Sequence, residues 1–449
     1  MDHDAEDPRI ARAVQTVLGA SAGADILWCP RLLESAAARG YFTPDEDEEI
    51  KVRYSQYLSV RAALLDVLAV MEVASGRDGR EWTCRLAPFV TAFAAACLLV
   101  RGSRQLASQA GTSRLLRKKL DEPDQARGVP RKTFTSIYRA STDTARLHRF
   151  RAASDFYYAH RSEIAAFGAG GLLAGLPQLL AGEEPWILSC RSGIVRRRLG
   201  YRWFSFRRRH HSAWKKSMFG IFEWSGRAIA ELRQPGVKPS GAPKRVSPRL
   251  LERALSIARP GDIFVTRHDD AMSNLFLPGF WPHAALYLGS PEQRAEHGVK
   301  LAPPLERLAA DPFRFLEAKK DGVRVRPAEE TLAVDAFVIL RPPLPAELLA
   351  TALVRAMAHH GKPYDFSFDF RKSDRLVCTE VIYRAYHGCG PVSFLLKEVS
   401  ARPCLPAEEL IAQSLEQGFR IVAACGVGRD EFATGTRAEL VLHSSRSAL

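Results

Sequence analysis

A thiol and an imidazole are the two groups in this chain whose surroundings best suit covalent chemistry. Cys378 lies in Arg375-Leu-Val-Cys378-Thr-Glu-Val-Ile-Tyr-Arg-Ala-Tyr386, where apolar side chains recur at Val377, Val381, Ile382 and Ala385. That spacing predicts a helix with one buried face and places Cys378 in its first turn. Unpaired N–H groups and the helix dipole favour negative charge at that end, so the thiol pKa should fall and the sulfur should become a better nucleophile. Upstream, Trp281-Pro-His283-Ala-Ala-Leu-Tyr-Leu-Gly289 reads as a buried strand that opens on His283. A cysteine hydrolase needs this pair, a thiol nucleophile and an imidazole that takes its proton and later returns it to the leaving group. A helical cysteine is more often a small buried hydrophobe, and seven other cysteines share the chain, so the pair alone does not define a site.

The segments around the pair carry more information. Arg259-Pro-Gly-Asp-Ile-Phe-Val265, Trp281-Pro-His283, Phe315-Leu-Glu317-Ala, Gly361-Lys-Pro-Tyr-Asp-Phe366 and Leu376-Val-Cys378-Thr-Glu380 follow one another in that order. Over residues 247–425 they resemble the permuted branch of the NlpC-type, papain-like cysteine hydrolases, the YiiX/YaeF-like group, in which the histidine strand precedes the cysteine helix. The resemblance implies an α+β papain-like fold, a Cys nucleophile, a His base and a polar residue on the next strand that orients the imidazole. By position these are Cys378, His283 and Glu317. If Phe313–Ala318 is a strand, Glu317 shares a face with Phe315 in an apolar segment, where a carboxylate needs a partner. His283 is one such partner and Arg324 another.

Other strands are expected at Asp262–Thr266, Gly322–Arg326 and Val334–Leu340, and a helix at Pro345–His360 with Gly361 past its end. His359 and His360 then fall in a last turn, where a cation favours the dipole. Asp365 and Asp369 would bind backbone N–H groups or a cationic substrate group. The oxyanion of an acyl intermediate would take the N–H of Cys378 and a second donor. Leu275-Phe-Leu-Pro-Gly-Phe-Trp281 would line an acyl pocket or belong to the core.

With 449 residues and a hydrophobic fraction of 46%, the chain can form two or three domains. Residues 246–449 contain 25 Lys+Arg and 25 Asp+Glu, so the whole net charge of +14 lies before residue 246. Such a surface favours anionic partners. The basic run Arg191–Lys216 has ten Arg or Lys and no acid, interleaved with Tyr201, Trp203, Phe204, Phe206 and Trp214. That mixture suits an anionic membrane surface better than single-stranded nucleic acid, while inward-packed rings with solvated arginines are the plain alternative.

Residues 1–165 read as helices, including Tyr54–Ala74, Leu86–Val100 as a buried core helix, and Phe134–Phe167. The glycine-rich Gly168–Gly182 reads as an apolar hairpin or a tight helix pair. The acidic start lacks the layout of a secretory signal, and the eight scattered cysteines show no CxxC pair or zinc-ligand spacing. A cytoplasmic protein, peripheral at the inner membrane face and without metal or cofactor, is the expectation.

The domain organisation expected is a basic, mostly α-helical region at 1–234, a Pro/Gly-rich linker at 235–246 and a permuted papain-like (NlpC-type) domain at 247–449. Its expected activity is that of a cysteine hydrolase or acyltransferase on an amide or ester acyl bond, through a Cys378 thioester. Peptidoglycan amides are the best-known substrates of the superfamily, but a cytoplasmic chain does not meet mature wall, so lipid-linked, peptide or small-molecule acyl bonds fit better. A binding or scaffolding module on the same fold is the alternative.

Overall fold

Runs of Val, Ile, Phe and Ala in the C-terminal half are apolar at nearly every position, which requires a sheet covered on both faces. The structure, a computed structural model, describes residues 7–21, 23–24, 29–74, 86–167, 170–171, 173–192, 243–269, 280–399, 402–427 and 430–447. Contacts divide the chain into two units, Met1–Gly40 with Glu46–Ala213 and Tyr41–Asp45 with Trp214–Leu449. The Arg191–Lys216 run, apart from the backbone of its first two residues, and residues 235–242 of the linker lie outside the described residues, as does 275–279 of the apolar segment before His283.

In the second unit β1 (Ile263–Arg267), β2 (His283–Tyr287), β3 (Phe313–Lys319), β4 (Gly322–Pro327) and β5 (Ala336–Arg341) are followed by a separate hairpin of β6 (Lys397–Val399) and β7 (Arg402–Cys404). β8 (Arg420–Val427) and β9 (Asp430–Thr434) complete a seven-stranded sheet in the order β4-β3-β2-β1-β5-β8-β9. Its pairings are antiparallel.

Alternation along the strands divides the sheet between two cores. Ile263, Val265, Ala284, Leu286, Leu316, Val338 and Leu340 pack with Val381, Ile382 and Ala385 of the helix Cys378–Tyr386 and with Leu353 and Ala356 of the helix Ala346–Met357. Phe264, Ala285, Tyr287, Phe315, Phe337 and Ile339 pack with Leu250 and Ala254 of the helix Pro248–Ile257. Ser247 caps that helix by accepting the N–H of Leu250, and Pro248 opens it. Each large apolar side chain buried this way contributes about 1.5–3 kcal/mol. The helix after β5 ends at Met357, so His359 and His360 lie beyond the expected last turn, and His359 Nδ1 instead meets Lys362 Nζ at 2.7 Å.

The first unit is helical. Its helix Leu86–Thr112 is longer than its apolar run, because the polar residues after Val100 continue the same hydrogen-bonded spiral. By length and composition it is the one helix among the described residues able to cross a membrane, yet 72% of its apolar window is buried within the protein. Phe89, Phe93 and Leu98 pack there with Val14 and Val17 of Pro8–Ser21, Leu64 of Pro44–Ala74 and Tyr157. The single helix expected over Phe134–Phe167 is three pieces, Thr133–Ser141, Thr144–Ala159 and Arg161–Ala166. Asp143 accounts for the first break, since its carboxylate accepts the N–H of Arg146 and starts a new helix. The glycine-rich tract leads through Gly175 into a single helix, Leu176–Ser192. A buried ion-pair network, Lys119 to Asp47 at 2.6 Å and to Glu122 at 2.8 Å, adds polar order to this unit.

One backbone contact in the sheet tests the packing directly. Gly426 has φ +71, and a Cβ there would lie 2.1 Å from the carbonyl oxygen of Asp335 at the start of β5. Gly426→Ala should therefore lower stability by roughly 2 kcal/mol or more, read as a lower denaturation midpoint of the full chain; an unchanged midpoint would contradict the β5–β8 register.

Candidate active site

Cys378 is the first residue of its helix and is 5% exposed. The preceding Val377 is extended and provides no side-chain cap, so no cap competes for the first-turn N–H groups. The far end of the helix is anchored by Tyr386, whose hydroxyl donates to the carbonyl of Gly261. Gly261 belongs to the Arg259-Pro-Gly-Asp turn, in which buried Asp262 accepts the N–H of Arg259 at 2.8 Å and the Arg341 guanidinium at 2.9 and 2.7 Å. Before the helix, Leu376 donates its N–H to Pro363 and accepts that of Asp365, both at 3.0 Å. These bonds fix where the sulfur emerges.

His283 opens β2, paired in register with Thr266. Its approach is held by a residue the sequence did not single out. Glu408 Oε1 accepts the backbone N–H of Phe280 at 2.8 Å and of Trp281 at 3.1 Å, and Arg446 holds the other oxygen. The buried Trp281 also donates its indole N–H to Ser445 at 3.3 Å. His283 Nε2 lies 2.7 Å from Glu317 Oε2, which leaves Nδ1 as the ring nitrogen for the sulfur. The thiol and the imidazole lie close enough to act on one another electrostatically. The structure thus brings Cys378, His283 and Glu317 together.

Glu317 is fully buried; its Oε1 accepts the Thr331 hydroxyl at 3.0 Å and pairs with Lys319 Nζ at 2.7 Å, with Arg326 Nε a further cation at 3.3 Å. Arg324 is not a partner. Although it stands opposite Glu317 in the β3–β4 register, its side chain is exposed and pairs with Asp321 at 3.2 Å, while Arg326, two residues along the same face, reaches the carboxylate. Asp365 takes the backbone role among the two expected for it, accepting the N–H groups of Ser367 and Asp369, while Asp369 pairs with Arg371.

The charges reinforce one another. Burial acts against a charged imidazole, but the sulfur and Glu317 outweigh it and lift His283 to about 9. Burial also pushes the Cys378 thiol up, yet the imidazolium and the N–H groups of Ala284 and Thr379 bring it below the ordinary thiol value. Glu317 feels the same burial and is nevertheless held down at about 2, chiefly by His283 and then by Lys319. The three groups thus favour a lowered thiol, a raised imidazole and a lowered carboxyl in one row. Other thiols go the opposite way, with burial raising Cys389 and Cys404 and taking Cys425 to about 12. Half-buried Tyr364, also missed by the sequence reading, keeps its phenol protonated well above the usual range because of burial and then of the charge on Cys378. Among the described residues no group of three or more His, Cys, Asp or Glu could hold a metal ion.

No curated protein and no solved structure matches this chain. Residues 258–404, which include Cys378, His283 and Glu317, match the family model of the permuted papain-like amidase enzymes, YaeF/YiiX, C92 family, a match that supports a permuted papain-like domain in this part of the chain.

Proposed function

We propose that this protein is a cysteine amidase or related acyl hydrolase in which Cys378 is the nucleophile, His283 the acid–base group and Glu317 the group that orients the imidazole. The observation that carries the reading is His283 in contact with Cys378 on one side and 2.7 Å from the buried Glu317 carboxylate on the other. The Cys378 thiolate attacks the acyl carbon, and the N–H of Cys378 helps hold the resulting oxyanion. His283 donates its proton to the leaving amine or alcohol as the C–N or C–O bond breaks, which leaves an acyl thioester. Neutral His283 then takes a proton from water, whose oxygen displaces the sulfur and releases the acid. An acceptor amine or alcohol in place of water would make the same site an acyltransferase. The intact thiol, imidazole and carboxylate favour turnover over a scaffolding role.

Thiol reactivity separates this from a merely structural cysteine. At pH 6–7, limiting iodoacetamide should alkylate Cys378 before Cys389, Cys404 and Cys425, and His283→Ala should slow that reaction; equal labelling that ignores the histidine would remove the nucleophile assignment.

The second test is catalytic. On a panel of lipid-linked, peptide and small-molecule acyl amides and esters, Cys378→Ser should lower turnover by about 10³-fold or more. Activity requires Cys378 deprotonated and His283 protonated, so kcat/KM should rise as the thiol ionises and fall as pH passes through about 9. In Glu317→Gln the carboxylate charge that raises His283 is gone, so the falling limb should move to lower pH; a limb that stays in place would deny Glu317 its role.

We further propose that the basic Arg191–Lys216 run brings this domain to an anionic membrane surface on the cytoplasmic side, on the strength of its ten cations, no acids and five interleaved Tyr, Trp and Phe rings. Each engaged Lys or Arg contributes about 1 kcal/mol, so binding to anionic vesicles should be measurable, weaken with salt and be absent for neutral vesicles. Changing Arg196, Arg197, Arg198, Arg207, Arg208 and Arg209 to Gln should remove most of it. Tight binding to single-stranded nucleic acid without vesicle binding would overturn the membrane reading.

A further inference from the structure

From the groups gathered on the far side of Glu317, we infer that Lys319 and Thr331 are positioning residues that set the pH range of the thiolate–imidazolium pair by fixing the orientation and charge of the Glu317 carboxylate. The inference rests on the proposed pairing of Cys378 with His283. Glu317 sits at the middle of the cluster, with Oε2 on His283 and Oε1 turned toward Lys319, Thr331 and Arg326. It is 0% exposed, so bulk solvent does not reach it, and an anion buried this way needs both countercharge and donors.

The three groups do not contribute equally. Arg326 is shared, because its two terminal nitrogens pair with Asp321 and Glu330, which already offset its charge. Lys319 comes from the same strand as Glu317 and, among the described residues, has only that ion pair, at 2.7 Å, so it is the dedicated countercharge. Thr331, buried at the end of the short helix Ala328–Thr331, donates an uncharged hydrogen bond at 3.0 Å that fixes the rotation of the carboxylate plane. The charged or titrating groups around the pair are then His283 on β2, Glu317 and Lys319 on β3, and Arg326 on β4 with its Asp321 and Glu330. Cys378 at its helix start and Tyr364 on the loop before that helix complete the set.

The sign of the effect follows. Removing the positive charge of Lys319 makes the cluster more negative, so both the thiol and the imidazole hold their protons more tightly and both limbs of a pH profile move upward. Removing the Thr331 hydroxyl leaves Oε1 short of a donor. Glu317 then becomes the stronger acceptor for the His283 proton, raising the upper limb, and its freer rotation costs alignment of the imidazole.

The test uses the full chain and follows alkylation of Cys378 by iodoacetate across pH, with the modified peptide quantified by mass spectrometry. Iodoacetate is anionic, so the imidazolium beside the thiolate draws it in, and loss of that proton slows the reaction. Wild type should give a bell. Lys319→Met should shift both limbs upward by roughly half a pH unit or more, and Thr331→Val should shift the upper limb upward with a lower maximum. Lys319→Arg and Thr331→Ser should restore the wild-type limbs, which a merely structural role would not require. Limbs superimposable on wild type, or a lower maximum with unmoved limbs, would overturn the inference while leaving the Cys378–His283 pairing intact. A wild type with no falling limb would overturn the pairing and the inference together.

Discussion

A fully buried carboxylate, Glu317, is the constraint around which the C-terminal unit arranges its charges. An isolated ionised carboxyl in an apolar interior is so unfavourable that it normally takes up a proton. Glu317 stays charged because His283, Lys319, Arg326 and Thr331 occupy both of its oxygens. The same contacts that make its burial tolerable also orient His283 and keep it protonated. The imidazolium in turn lowers the Cys378 thiol against the desolvation of its own site. Each member of the row stabilises the charge on the next, so the state of the thiol depends on side chains that never touch it.

Such a row needs a frame that does not give. The sheet supplies it by being apolar on both faces, with the helix Cys378–Tyr386 packed on one core and the helix Pro248–Ile257 on the other. The lead-in to the Cys378 helix is tied to the sheet edge, where the N–H of Val323 on β4 donates to the carbonyl of Lys362 at 2.8 Å. Gly322, at φ +100, allows that approach, since a Cβ there would lie 2.4 Å from the same oxygen. The strand that carries Arg326 and the segment that leads to Cys378 are therefore neighbours through backbone bonds, not only through side chains.

The helical unit follows a different plan. Its longest apolar stretch is surrounded by other helices of the same unit, with Phe89 edge-on to Phe156 at 4.5 Å and Phe93 stacked near Tyr157 at 5.2 Å. The positive surplus of the chain belongs to the sequence before residue 246, whereas the domain with the thiol is electrically balanced. The proposed attraction to an anionic surface and the proposed acyl chemistry thus fall on separate parts of one polypeptide.

The sequence by itself determined what depends on neighbours along the chain. Helical periodicity placed Cys378 in the first turn, the apolar run after Trp281 marked the histidine strand, and the order of the segments pointed to a permuted papain-like domain, which the family match supports. Proline and glycine signals located the helices at Pro248 and Pro345 to within a residue or a few. The breaks at Thr142 and His160 in the long helix, and its continuation past Val100 in another, turned on single caps and on packing that periodicity does not encode. Only the tertiary structure decided who would share the Glu317 carboxylate. His283 is 34 residues away along the chain, and of the two arginines on one face of β4 it is Arg326 that reaches the carboxylate while Arg324 turns to Asp321. Glu408, 128 residues beyond Phe280, holds the approach to the histidine for the same reason. A buried charge recruits partners by proximity in three dimensions, and strand register sets that proximity where spacing along the chain does not.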